Sequence, residues 1–543
     1  MKKHQIILII LAIVAVFLLV YSPHFNYPFP YHVDEWHHLD QAKRIINGEY
    51  ERGQGSLEIG FQIFLAGLWI LSDAVLNLPL FQGDDGEDLK KIPPSLFQGG
   101  GQGEVLDFRP LPIPPLRTRG GGLVLFYKFL PALWAVFGAL ALFWTTRQLT
   151  RNFYIALLTI IFFASIKSNV NITGLWFFTP LTFAIPFIFL YIYFLVEGIN
   201  RQKKKFILIG LTIMAFLLLF HAVSVLFSLP ILLIYLLINW RYLIKEWKFF
   251  LFFLIIPIIG VLFYKFSFNL PWQELVGKLL EQIQFKRGWG VLELNNPLTE
   301  IYSAVGFILA IIGAVSIIVE KKTKKYLFYL LWPIVMLFWI IIYRVNGVSF
   351  FSPHQRNLYY LALGLPLLSA IGLFYLITHC RILFDKINFP PLPSFRRKPE
   401  SRLSKILLPI SFWVSIILIA VVTFFTFKNY YQVPHQLSLY RVIDERDYAD
   451  LKYLTRLPKG KVIAEPTIGT AIYAISGDQS FANLTFKGEK ARKVAENFFS
   501  EYNCDWKNGL IKDFQIKYVI SSQRIDCDWK LIYQGKSLIY LTD

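Results

Sequence analysis

The sequence predicts a polytopic α-helical membrane protein with about eleven transmembrane helices and a small C-terminal extracytoplasmic α/β domain. Three observations predict it. Hydrophobic residues make up 55% of the 543 positions and aromatics 17%, and the mean hydropathy is +0.48. Apolar runs recur at the length needed to cross a hydrocarbon core of ~30 Å, roughly 20 residues. The basic residues gather in short loops between those runs, so the net charge of +19 reports membrane topology rather than nucleic-acid binding.

Taken in order, spans are expected near 5–21, 123–146, 152–167, 176–197, 205–220, 222–239, 248–266, 301–319, 326–343, 357–379 and 406–427. No small-x-small cleavage site follows Ile6–Tyr21, so the first run is read as a retained helix and not a signal peptide. Lys2-Lys3, Arg147 with Arg151, Arg201–Lys205, Arg241–Lys248, Lys321–Lys325 and Arg381–Lys405 all fall on one side, the inside. They agree only if Leu57–Ala74, which carries Glu58, Gln62 and Asp73, lies along the outer interface without crossing. The N-terminus is then cytoplasmic and the C-terminus extracytoplasmic, in the plasma membrane. Seven of the nine histidines (His24, His32, His37, His38, His221, His354 and His435) face outward.

The expected domains are 1–427, transmembrane, with a first external loop at 22–122, and 428–543, extracytoplasmic. Within the loop, Phe81–Gly122 holds nine Gly and six Pro and repeats Phe-Gln-Gly, which predicts a disordered insertion. Pro390–Ser404 reads similarly. In the tail, Tyr440–Leu454 and Glu489–Tyr502 read as helices. Val462–Ala464, Ala471–Ala474, Tyr518–Ser521, Leu531–Tyr533 and Leu538–Leu541 read as strands. Asn483-Leu484-Thr485 is a sequon that matters only in a host that uses one. Of three cysteines, Cys380 falls at an inner helix end, while Cys504 and Cys527 lie in the tail, where an external location permits a disulfide without proving it.

The chemistry-bearing segment follows the first span. From His32 to Asp40, three carboxylates and three histidines fall within nine residues. Pro28-Phe29-Pro30 breaks the first helix, and Trp36–Asn47 reads as an amphipathic helix closed by Gly48. Asp34 can cap that helix, which is its plainer role. Asp34, His37 and His38 also share a face at i, i+3 and i+4, so a divalent cation is a possible ligand there. Interfacial hydrogen bonding is the duller account of the two histidines.

Asp34-Glu35 … Ala42 … Gly48 just after span one resembles the "DE … A … G" stretch in the first external loop of the GT-C superfamily. These are polytopic glycosyltransferases using polyprenyl-phosphate sugars, among them protein O-mannosyltransferases, lipid A aminoarabinose transferases and oligosaccharyltransferase catalytic subunits. The resemblance covers roughly 1–430 as architecture. It implies Asp34 and Glu35 as catalytic residues, Asp34 as general base and Glu35 as its orienter or a cation holder. It also implies an Arg at the outer mouth of a late span as donor-phosphate ligand, matched by Arg356 in Ser352-Pro353-His354-Gln355-Arg356. A guanidinium suits a phosphate because it grips two oxygens and keeps its charge. His354, His221, Lys286 and Arg287 are further phosphate-binding candidates, against plainer roles as a hairpin turn for His221 and a helix anchor for Arg356. The sequence departs from the family in the loop after span three, Ser168–Gly174, which has no carboxylate.

The resemblance thus implies inverting sugar transfer from a polyprenyl-phosphate donor to a glycan, lipid or protein acceptor on the outer face. No cofactor is required, a divalent cation is possible, and the other partners are membrane lipids. A non-catalytic protein of envelope glycan assembly and a lipid-linked glycan polymerase or ligase are the alternatives. A transporter is disfavoured because the spans hold almost no ionisable residues.

Overall fold

The computed structural model describes residues 2–50, 58–76, 122–168, 174–247, 298–387, 419–428, 441–484 and 489–542, with short pieces at 265, 271–274, 276–277, 284–286 and 417. They form two compact units. One comprises Met1–Glu35, Arg52–Phe61 and Lys128–Arg441; the other comprises Trp36–Glu51, Gln62–Tyr127 and Val442–Asp543. In this discontinuous division one boundary falls between Glu35 and Trp36 and another between Arg441 and Val442.

The helices run α1 (Lys3–Tyr21), α2 (Val33–Asn47), α3 (Ile59–Leu76), α4 (Gly122–Phe126), α5 (Leu130–Thr150), α6 (Phe153–Ala164), α7 (Pro180–Asn200), α8 (Lys204–Phe220), α9 (Val223–Leu226), α10 (Leu229–Ile238), α11 (Trp240–Lys245), α12 (Ala304–Val319), α13 (Thr323–Asn346) and α14 (His354–Ile387). Among the described residues five segments are long and apolar enough to cross a membrane: Lys3–His24, Tyr127–Thr150, Pro180–Asn200, Thr323–Asn346 and His354–His379. Ile59–Ala74, Phe153–Ala164, Val223–Ile238 and Ala304–Val319 are apolar but shorter. Large apolar side chains such as Ile6, Leu11, Ile311 and Phe338 stay exposed on these helices, as expected of surfaces turned to lipid rather than water.

The expected span at 222–239 is broken into α9 and α10, because Pro230 lies in the first turn of α10 and cannot continue a preceding helix. The spans expected at 248–266 and 406–427 lie mostly outside the described residues, as do 81–121, Pro390–Ser404, His435 and Thr485 of the sequon.

Packing in the first unit is close. α7 is buried along almost its whole length. α12 and α14 meet at glycines: a Cβ on Gly313 would fall 2.0 Å from the Leu368 carbonyl oxygen, and one on Gly372 would fall 2.0 Å from that of Leu309. Only residues without side chains let two backbones come this near. A short ribbon, β1 (Gln284–Lys286) against β2 (Val348–Phe350), pairs antiparallel with Lys286 opposite Val348.

In the second unit, α15 (Glu445–Leu454), β3 (Lys461–Ile463), α16 (Pro466–Ser476), β4 (Gln479–Ser480), α17 (Glu489–Ser500), α18 (Cys504–Phe514), β5 (Ile516–Ser521), β6 (Lys530–Gln534) and β7 (Leu538–Leu541) follow in order. The sheet order is β4-β3-β5-β7-β6, with β3 parallel to β4 and β5, and β7 antiparallel to β5 and β6. Its core joins Ile463, Phe498, Val519 and Tyr540. The strand expected at Ala471–Ala474 is instead the middle of α16. Pro466 starts this helix at a position that needs no N–H, and Gly477 ends it with φ +80°. Helix α18 was not expected from the sequence. Cys504 at its start is disulfide-bonded to Cys527.

Candidate active site

Helix α2 begins at a cap made by two side chains other than the expected one. His32 Nδ1 accepts the Asp34 N–H at 3.1 Å. Glu35, at the third helical position, reaches back so that Oε2 accepts the N–H groups of Tyr31 and His32, each at 2.9 Å. This is the returning half of a capping box. Its other oxygen, Oε1, accepts the Phe178 N–H at 2.7 Å. Glu35 is fully buried, and burial pushes its pKa up from 4.5 to about 7; the three amide donors oppose the rise and the Asp34 charge adds to it. Asp34 therefore does not cap the helix. Its side chain is 52% exposed, with Oδ2 3.4 Å from His32 Nδ1.

The segment before α2 is stitched to the one before α7. His24 Nε2 bonds the Trp176 carbonyl at 3.0 Å, Tyr31 Oη donates to the Pro23 carbonyl at 2.6 Å, and the Trp176 N–H donates to Ser168 Oγ at 3.2 Å. The backbone that presents Asp34 is thus fixed by buried hydrogen bonds from both sides, and Glu35 is a positioning residue whose oxygens serve backbone amides.

A second acid, given no chemical role in the sequence reading, stands in the same unit. Glu58 immediately precedes α3. Its Oε1 lies 3.8 Å from His221 Nε2. His221 is buried, and its Nδ1 is 2.6 Å from Ser224 Oγ, which in turn is 3.1 Å from Tyr360 Oη. Burial pushes the Glu58 pKa from 4.5 to about 7; the Asp34 charge adds to the rise and the Arg356 guanidinium opposes it. The charges of Asp34 and Arg356 thus both act on Glu58, which also sits beside His221. The signal available in sequence was an acid opening an apolar helix in the same external loop as Asp34, and it had been used only to argue that the helix does not cross.

Arg356 is half-buried in the first turn of α14. The turn before it is rigid. Asn357 Nδ2 donates to Ser349 Oγ at 2.7 Å, Ser349 Oγ donates to the Ser352 carbonyl at 2.7 Å, and Ser352 Oγ bonds Asn357 Oδ1. His354 opens the same helix two residues before Arg356. Its ring stacks on Tyr343 at 4.3 Å and 12°, and both ring nitrogens are buried with no hydrogen-bond partner among the described residues. Lys286 is described only as backbone of β1, and Arg287 lies outside the described residues. His37 and His38 are neighbours on α2, with ring centroids 5.7 Å apart, and His38 is buried. Among the described residues no three His, Cys, Asp or Glu side chains converge as a metal-ligand set.

No protein-family model matches the chain, and no curated protein matches it in sequence. Solved structures do match in fold. The Archaeoglobus fulgidus oligosaccharyltransferase tethered to an acceptor peptide superimposes with a TM-score of 0.54 at 12% identity, over 96% of this chain and 69% of that one. The archaeal oligosaccharyltransferase AglB of the same organism, in complex with an inhibitory peptide and a dolichol-phosphate, gives 0.55 at 13% identity, over 96% and 69%. ArnT from Cupriavidus metallidurans gives 0.44 at 11% identity, over 78% and 84%. The chain shares the fold of these archaeal oligosaccharyltransferases, and its long apolar helices mark it as an integral membrane protein.

Proposed function

We propose that this protein is a glycosyltransferase of the outer membrane face, moving a sugar from a polyprenyl-phosphate donor to a hydroxyl- or amide-bearing acceptor with inversion. The fold supports membrane glycosyl transfer in general, since AglB is seen with a lipid phosphate and a peptide. The observation that carries the reading for this chain is the division of labour in Asp34-Glu35. One acid is buried to hold backbone; the other is left half exposed at the head of α2, where its charge and that of Arg356 both act on Glu58.

In this reaction the acceptor oxygen attacks the anomeric carbon from the face opposite the phosphate. The bond from anomeric carbon to phosphate oxygen breaks, and the polyprenyl phosphate leaves with the electron pair. Asp34 takes the acceptor proton as general base. Arg356 stabilises the charge gathering on the leaving phosphate, which needs no proton once that charge is matched. Glu58 and His221 set the field between base and clamp, and Glu35 keeps Asp34 in register. No step of this reaction as written needs a metal ion, since Arg356 matches the charge on the leaving phosphate.

The proposed orientation places the N-terminus in the cytoplasm, with eleven spans and the 428–543 region outside. The Cys504–Cys527 disulfide supports an oxidising location for that region. The test is complementation of a strain lacking this chain by Asp34→Asn protein made at normal membrane level. Loss of the strain's surface glycan or glycoprotein product supports transfer; full restoration overturns it in favour of a non-catalytic part in glycan assembly.

A further inference from the structure

At the far end of α7 from Phe178, the first unit holds a cavity of about 400 Å³ lined by Arg151, Arg201, Lys324, Lys325, Glu197 and Asn200. Three helices deliver these residues. Arg151 is the residue after α5, in the left-handed region at φ 58°, and its carbonyl is held by Arg147. Arg201 follows α7. Lys324 and Lys325 lie in the first turn of α13, which starts without a side-chain cap. Four cations therefore face one carboxylate. That carboxylate, Glu197, is buried and already paired with Arg201. Among the described residues no ion pair involves Arg151, Lys324 or Lys325.

Bringing like charges together around a concavity costs free energy, and a topological bias alone does not demand it: the positive-inside pattern needs cations in a loop, not gathered from three helices around one open pocket. An anion seated between them reverses the cost, and an uncapped helix start adds favourable N–H groups and dipole. Depth indicates which anion. α7 has 21 residues, about 30 Å of helix, which is one hydrocarbon thickness. The cavity thus lies at headgroup level in the leaflet opposite Asp34, which in the proposed orientation is the cytoplasmic leaflet, where anionic lipid headgroups are concentrated.

We propose that this cavity binds the phosphate headgroup of an anionic phospholipid in the leaflet opposite the candidate active site. The proposal stands on the charge set and the depth and does not depend on the glycosyltransferase reading.

Native mass spectrometry of the full chain tests it. Lipid-depleted protein is incubated with phosphatidylglycerol, with phosphatidylcholine, or with inorganic phosphate. The expected result is a phosphatidylglycerol adduct that survives activation stripping phosphatidylcholine, and its loss by about thirtyfold in the double variant Arg151→Asn/Lys324→Gln. All four cations are exposed, and Asn tolerates the left-handed conformation that Arg151 holds, so this variant should melt like the wild type. Equal retention of the two lipids, undiminished phosphatidylglycerol binding in the variant, or binding of inorganic phosphate without the lipid would each overturn the proposal. The wild-type comparison of the two lipids decides the question even if the double variant fails to fold.

Discussion

The Glu35 carboxylate accepts the backbone N–H of Phe178 at 2.7 Å across 143 residues of sequence. With the same carboxylate capping α2, one side chain joins the first external segment to the entry of α7. Replacing Glu35 with Ala leaves the buried N–H groups of Tyr31 and Phe178 and the part-buried one of His32 without their acceptor, at roughly 1–3 kcal/mol for each buried group. Thermal unfolding in nanodiscs should show Glu35→Ala strongly destabilised and Glu35→Gln, which keeps one oxygen, less so. Wild-type stability in Glu35→Ala would remove its positioning role.

Asp34→Asn should behave oppositely. The side chain is half exposed at the second position of α2, so stability should change by no more than about 1 kcal/mol through the helix dipole. Sugar transfer should fall by about 10²–10⁴-fold, the span of a lost general base. Transfer assayed beside a melting curve separates the two effects.

The pH dependence of stability follows from Glu35. Its pKa in the folded protein is about 7 against an ordinary 4.5, so the folded state binds more protons than the unfolded state between those values. Its contribution is full below about 4.5 and is lost as pH rises to about 7. Glu58 acts in the same direction, less strongly because a third of its side chain meets solvent. Melting temperature followed across this window should fall less steeply in Glu35→Gln than in the wild type. Parallel curves would contradict the buried acid.

How much of this was legible in the sequence varies by residue. The apolar run of α1 and the acids at 34 and 35 were plain, because hydropathy and rarity are local properties. Which acid is buried was not, because the deciding partner, Phe178, lies 143 positions away. The cap went to His32 and Glu35 instead of Asp34 for a related reason: propensity favours Asp as a cap, but the fold's buried amides take the longer side chain first. Glu58 passed unnoticed as chemistry because its partner His221 belongs to a distant helix pair. His354 looked like a ligand beside Arg356, yet two residues of helix turn it about 200° away, and its ring stacks on Tyr343. Residues 471–474 read as a strand because short apolar runs carry no period of their own.

Arg356→Ala should lower transfer by about 10²–10³-fold, the cost of removing a donor aimed at developing charge. Arg356→Lys should recover only part, because an ammonium cannot grip two phosphate oxygens in one plane. Full activity in the lysine variant would show that charge alone suffices; full activity in the alanine variant would remove the clamp.

Chelation should leave transfer unchanged. Incubation with EDTA before the assay is expected to alter the rate by less than about twofold, and a loss restored by Mg²⁺ or Mn²⁺ would return a Lewis acid to the mechanism.

The most direct measurement is native mass spectrometry of detergent-purified Asp34→Asn protein, which should hold its donor without turning it over. A bound mass equal to a polyprenyl phosphate plus a sugar, lost when Arg356→Ala is added, is the predicted result and would also identify the sugar. Ordinary phospholipids alone, identical in both samples, would contradict a lipid-phosphate donor.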